Sequence, residues 1–283
     1  MPQVVKQSPR GQPKKPTGGI LSRLPSAWDM TETFSLLLYG RSGTGKTTLW
    51  ATFPKPILAI VCSGGMKPGE LGSINTPELK KVIVPKVVRQ STDVRELIAV
   101  AEDFATVVLD HGSGFQDLVL KEILGLEELP AQKSWGMASQ QQYGQCTLQC
   151  KEIFRAFLSL SCYRVIVAQE RTFGEDAAAG EGIVPVVGAA LTPSLTGWLN
   201  PACDHVVETF IRGKTVEKTV KIAGKETRQV TKVKGVEFCL RTAPDPVYIT
   251  KFRLPKGRDL PDVIVDPSFT KIRALIDGEE AEE

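Results

Sequence analysis

Gly40-Arg41-Ser42-Gly43-Thr44-Gly45-Lys46-Thr47 satisfies the pattern G-x-x-x-x-G-K-[ST] in full. Its three glycines let the backbone wrap closely, so that successive amides converge on one anion. A lysine at that point places a compact charge between the β- and γ-phosphates of a nucleotide. The Thr47 hydroxyl supplies part of a Mg²⁺ shell that otherwise keeps its waters. The spacing therefore predicts a cradle for ATP and Mg²⁺ running from Gly40 through Thr48. A glycine turn with an unrelated lysine is the plain alternative, and an apolar strand before the loop with a helical pattern after it argues against that.

A phosphate loop of this kind needs a carboxylate near the metal, at the end of a neighbouring strand. Asp110, directly after apolar Val107-Val108-Leu109, is the candidate; its other reading is a turn or helix-capping aspartate, since His111-Gly112-Ser113-Gly114 follows. Gln169 ends the next apolar run, where its amide would reach the γ-phosphate or the attacking water, unless it is simply a surface glutamine. Glu170 beside it is a candidate base.

Strands must hold these residues in place. Residues 34–39 form a continuous apolar run ending in glycine, which reads as a strand buried on both faces, and residues 46–52 continue as a helix. Residues 57–62, 82–84, 106–110 and 163–168 read as further strands, and 93–104 (capped by Thr92), 113–124 and 136–160 as helices. That alternation predicts an α/β fold with a mainly parallel sheet covered on both faces. From Asp204 the pattern changes: residues 206–211, 215–222, 227–234 and 236–241 read as short strands of antiparallel hairpins at the sheet's edge.

With 283 residues, 42% hydrophobic and 24% charged, the chain can bury a full core, which excludes disorder throughout. No apolar run approaches the 18 or so residues that span a bilayer, and polar, Pro-rich residues 1–17 lack the apolar centre of a signal peptide. The expected location is the cytoplasm, with no membrane partner. Cys62, Cys146, Cys150, Cys162, Cys203 and Cys239 form no C-x-x-C pair and read as buried thiols; Cys146 and Cys150 would make only half of a zinc site. The net charge of +3 hides an asymmetry, because Asp277, Glu279, Glu280, Glu282 and Glu283 close the chain with acids. A more basic remainder suits an anionic partner.

With these residues in view, the chain resembles the RecA-like P-loop ATPases of bacteriophages, including the phage Sak group of single-strand annealing and recombination proteins. The likeness rests on residues 38–48, on Phe53-Pro54-Lys55-Pro56, on Gly64-Gly65, on residues 107–110, on Trp135-Gly136 and on Lys251-x-Arg253. It implies a RecA-like ATPase core over 31–270; composition and pattern place a disordered basic arm over 1–30 before it, a hairpin portion over 204–255 within it and a short helix with an acidic tail over 271–283 after it. A strand would lie between the strand leading into the phosphate loop and the one ending at Asp110. Two loops would face single-stranded DNA, the first with Lys133 and Trp135, the second with Arg171 and Phe173. Lys251 and Arg253 would reach the γ-phosphate of a neighbouring subunit in a filament or ring of identical chains. Read without the resemblance, Trp135 is a core anchor and the Lys251–Arg253 stretch an exposed basic strand edge. Ser63 stands where the family usually carries an acid that polarises water: either Glu70, Glu170 or another acid takes that role, or hydrolysis is slow and the nucleotide serves chiefly as an assembly switch, and slow turnover stimulated by DNA is the expectation.

The expectation is a DNA-stimulated ATPase, in the host cytoplasm if phage-encoded, that assembles on single-stranded DNA and promotes annealing or strand exchange, alongside a single-strand DNA-binding protein. The alternatives are a P-loop motor or loader for helicase loading or DNA packaging and, last, a small-molecule kinase. A kinase needs a lid with several arginines, and only Arg41 and Arg171 suggest themselves.

Overall fold

The computed structural model describes residues 33–62, 70–126, 138–174, 186–222 and 225–278. Its apolar runs become the strands β1 (Ser35–Gly40), β2 (Ile57–Val61), β3 (Ile83–Val87), β4 (Thr106–Asp110) and β5 (Tyr163–Ala168). They are followed by β6 (Glu170–Phe173), β7 (Val186–Ala189), β8 (His205–Ile222), β9 (Lys225–Arg241) and β10 (Val263–Val265). The helices are α1 (Lys46–Trp50), α2 (Pro77–Lys80), α3 (Ser91–Ala99), α4 (Gly112–Leu124), α5 (Gln140–Leu158), α6 (Pro193–Ala202) and α7 (Phe269–Asp277).

Eight strands form one sheet in the order β10-β9-β8-β1-β5-β4-β2-β3, and β6 with β7 make a separate antiparallel pair. From β8 to β3 every pairing is parallel. The α/β class and mainly parallel sheet follow from the double burial of the central strands, with β1, β2 and β4 buried at every position. In β1, Leu37 and Tyr39 join one core with Phe115, Phe154 and Phe157 of α4 and α5, while Leu36 and Leu38 join another with Leu49, Trp50 and Ile272. Alternate residues face opposite sides of a strand, so a run apolar at every position needs helices on both faces.

β5 lies between β1 and β4, the arrangement the resemblance implied. Three details differ from the expected elements. The cap of α3 is Gln90, not Thr92: Asp93 accepts from the amides of Arg89 (2.8 Å) and Gln90 (3.1 Å), which starts the helix earlier, and the chain leaves it as a 3₁₀ turn at Ala101–Asp103. Helix α5 begins at Gln140 because Ser139 and Gln142 close a reciprocal cap before it. The four short runs after residue 204 are two long strands in a single hairpin. Gly213 and Gly235 sit at an irregularity of the ladder instead of ending it. β8 lies inside the sheet over His205–Thr209, where it pairs with β1; beyond Thr209 it pairs, among the described residues, with β9 alone.

At the start of β8, His205 is 3% exposed, edge-on to Phe34 at 5.1 Å and tilted against Phe252 at 4.3 Å. Burial lowers its pKa to about 4. The folded chain thus keeps the ring neutral while an unfolded chain protonates it below about pH 6.5, so stability is complete above that pH and is lost as pH falls toward 4. The expected loss is about 3 kcal/mol, read as a falling urea midpoint between pH 7 and pH 4. His205→Gln should flatten that part of the profile; an unchanged pH dependence in the variant would show that the ring is not the titrating group.

Candidate nucleotide-binding site

The loop between β1 and α1 bends through left-handed glycines, Gly43 at φ 81° and Gly45 at φ 88°. Gly40 answers a second demand. A Cβ there would lie 2.3 Å from the carbonyl oxygen of Thr209 on β8, so no side chain fits. Thr44 fixes the loop from inside, its hydroxyl donating to the Arg41 carbonyl at 2.8 Å and lying 2.7 Å from the Thr209 hydroxyl. The amides of this loop, more than the dipole of a five-residue helix, provide the anion site.

Lys46 is 8% exposed, and its Nζ donates to the carbonyls of Gly40 (2.8 Å) and Arg41 (2.6 Å). Burial lowers its pKa, with Asp110 and Glu170 pulling weakly the other way. An anion in the cradle would relieve that deficit. Asp110 ends β4 at 4% exposure and accepts from the indole Nε1 of Trp50 at 3.1 Å. Gln169 follows β5, and its backbone N–H donates to the Ser113 hydroxyl at 3.3 Å. All these residues stand at the carboxyl ends of parallel strands, where open α/β sheets leave a crevice.

There, a cavity of about 350 Å³ is lined by Ser42, Gly43, Gly45, Lys46, Thr47, Thr48, Ser73, Asp110, Gln169 and Phe238. Thr47 and Asp110 give it hard oxygen donors. Together with phosphate and water they fit Mg²⁺, which seldom has an all-protein cage. Among the described residues no cluster of three or more His, Cys, Asp or Glu offers a site for another metal.

The structure does not bring every expected residue to this cavity. Glu170 opens β6 and accepts from Arg41 Nε at 2.8 Å, facing a neighbouring pocket that also holds Glu208 and Arg241. Lys251 forms an isolated bridge with Val206 instead of lying on a regular strand. Its Nζ donates to the carbonyls of Asn200 (2.7 Å), Pro201 (3.2 Å) and Cys203, at the end of α6. Arg253 reaches Asp204 Oδ1 at 3.0 Å. Both sit beside the start of β8, whose His205 and Val206 pair with Leu36 and Leu37, at the end of the sheet opposite the loop. The Arg171 guanidinium stacks over Phe173 at 5.5 Å on β6. Lys133, Trp135 and Ser63 lie outside the described residues.

Four contributors escaped the sequence reading. Thr209 and Phe238 arrive from β8 and β9, with the Phe238 ring 3.1 Å from where a Gly45 Cβ would be. Ser73 comes from a 3₁₀ turn at Glu70–Ile74. Trp50 alone carried a local signal, one helical turn after Lys46.

A complete phosphate loop, a carboxylate two strands away and a polar residue just past the end of the strand between them define a P-loop nucleotide-binding domain of the AAA type. The chain belongs to the AAA domain family, whose model matches residues 32–254. Among solved structures it is similar to the flagellar accessory protein FlaH from Methanocaldococcus jannaschii, at 8% identity and TM-score 0.38, covering 83% of this chain and 84% of that one. It is also similar to a KaiC-like protein from Pyrococcus horikoshii, at 12% identity and TM-score 0.39, covering 83% and 89%. For the RadB recombinase the values are 13% identity, TM-score 0.35, 62% and 74%. No curated protein matches the chain in sequence.

Proposed function

We propose that this protein is an ATPase that assembles with copies of itself on single-stranded DNA and promotes annealing or strand exchange in phage recombination or replication. The observation that carries the nucleotide half is the meeting of Lys46, Thr47, Asp110 and Gln169 at one cavity behind a complete phosphate loop. The DNA half is supported by the resemblance to phage annealing ATPases and by the composition of the β8–β9 hairpin. From Glu208 to Arg241 it holds nine Lys or Arg against four Glu.

In this reading the Lys46 ammonium leaves the Gly40 and Arg41 carbonyls for the β- and γ-phosphates, and the loop amides hold the β-phosphate. Thr47 and Asp110 hold Mg²⁺, which supplies charge neutralisation on the phosphates when bound. The Gln169 amide orients the γ-phosphate or the attacking water. Asp110 is the one carboxylate among the described residues lining the cavity, and its place is with the metal. Little is left to act as base, so turnover by the isolated chain is slow and DNA binding raises it.

The test is the ATPase rate of the full chain with single-stranded DNA, with duplex DNA and with none. Stimulation by the single strand alone is expected. Indifference to both would sink the recombination reading, and stimulation by duplex alone would favour a motor or loader.

A further inference from the structure

Helix α5 buries Cys146, Cys150, Ile153, Phe154 and Phe157 and turns its other face outward. That open face forms one wall of a groove of about 1010 Å³; Arg171 of β6 and Thr192–Ser194 at the start of α6 form the rest. Two cations line it, Lys151 and Arg171, and among the described residues no carboxylate does. Tyr143 stands in it 44% exposed, flanked by the amide side chains of Gln141 and Gln145. Midway along the wall is Gly144, where an added Cβ would meet nothing within 4 Å. Packing therefore does not call for a glycine there, and glycine weakens a helix.

We propose that this groove binds single-stranded nucleic acid. An exposed aromatic ring offers a face for an unpaired base, amide side chains answer base edges, and cations set beside them take phosphates. A duplex hides its base faces and would leave Tyr143 without a role. Arg171 is held ready by its stacking on Phe173. It also lies two residues beyond Gln169, which lines the nucleotide cavity, so one short stretch of chain touches both ligands. The assignment rests on the single-stranded DNA reading above and gives it a surface in which residues of α5, outside the two loops that the resemblance pointed to, join Arg171 of the second loop.

The experiment measures fluorescence anisotropy of a labelled oligothymidylate, and of a duplex of equal length, with the full chain and a non-hydrolysable ATP analogue. Tyr143→Ala should weaken single-strand binding about five- to hundredfold. Lys151→Gln should lower the slope of log affinity against log salt by about 0.7. Both variants should keep the native affinity for the ATP analogue. Native oligonucleotide affinity and salt slope in both variants would overturn the groove while leaving the ATPase reading in place. Failure of the native chain to bind the oligothymidylate overturns both, and a duplex preference untouched by Tyr143→Ala overturns the single-strand assignment.

Discussion

Lys46→Ala is expected to weaken ATP binding about ten- to a hundredfold in titration calorimetry and to lower turnover by about a further hundredfold. A hydrogen bond from an ammonium to a phosphate contributes about 1.5–3 kcal/mol, which sets the first figure. Its contribution grows as charge develops on the transferring phosphoryl group, which sets the second. Lys46→Arg should not rescue binding. The ammonium now sits within 2.8 Å of two loop carbonyls, and a planar guanidinium is too broad for that place. The side chain ends in a cavity, so circular dichroism should find both variants folded. Native ATP affinity in Lys46→Ala would remove the loop from consideration as the nucleotide site.

A methyl group at Gly114 is expected to cost about 3 kcal/mol of stability, although alanine is the better helix former. A Cβ there would lie 2.1 Å from the Cys62 carbonyl oxygen and 2.9 Å from the His111 ring. Neither neighbour is a free side-chain tip. The Gly114 amide donates to His111 Nδ1 at 2.7 Å, and the Cys62 amide donates to the Asp110 carbonyl at 2.7 Å. Overpacking of this kind costs about 1–3 kcal/mol, here at the upper end because backbone must move. The shift reaches Asp110 as well, so Mg²⁺-dependent turnover falls with the denaturation midpoint. Gly197→Ala in α6 is the counterpart: its Cβ meets nothing within 4 Å, and it should stabilise by about 0.5–1 kcal/mol. Equal midpoints for the two variants would show that the Cys62 carbonyl does not bar a side chain at Gly114.

What the sequence revealed and what it concealed differ by range. The phosphate loop is written in eight consecutive residues, and Asp110 and Gln169 could be found because each closes an apolar run that must be a buried strand. Thr209 could not be found that way. It meets Thr44 across 165 residues, and only the parallel register of β1 with β8 brings them together. Glu170 looked like a free base beside Gln169 because its partner, Arg41, lies 129 residues earlier in the chain. The long hairpin was divided in four because glycine in a β-pattern signals a turn as readily as a bulge. For Lys251 and Arg253, the alternation of cations was visible, but the carbonyls at the end of α6 that hold them were not.

The two borders of the main sheet set a limit on how molecules of this protein can join. β10 is three residues long. At the other border, Val82 and Val88 bond toward β2, so by alternation the odd-numbered residues of β3 turn their amides outward. Pro85 has no amide to offer there, and Lys86 adds a charge. An incoming strand therefore finds an interrupted template at the β3 margin, whereas among the described residues β8 beyond Thr209 and β9 before Cys239 pair in the sheet only with each other, so strand addition is blunted at β3 and left to the far part of the hairpin.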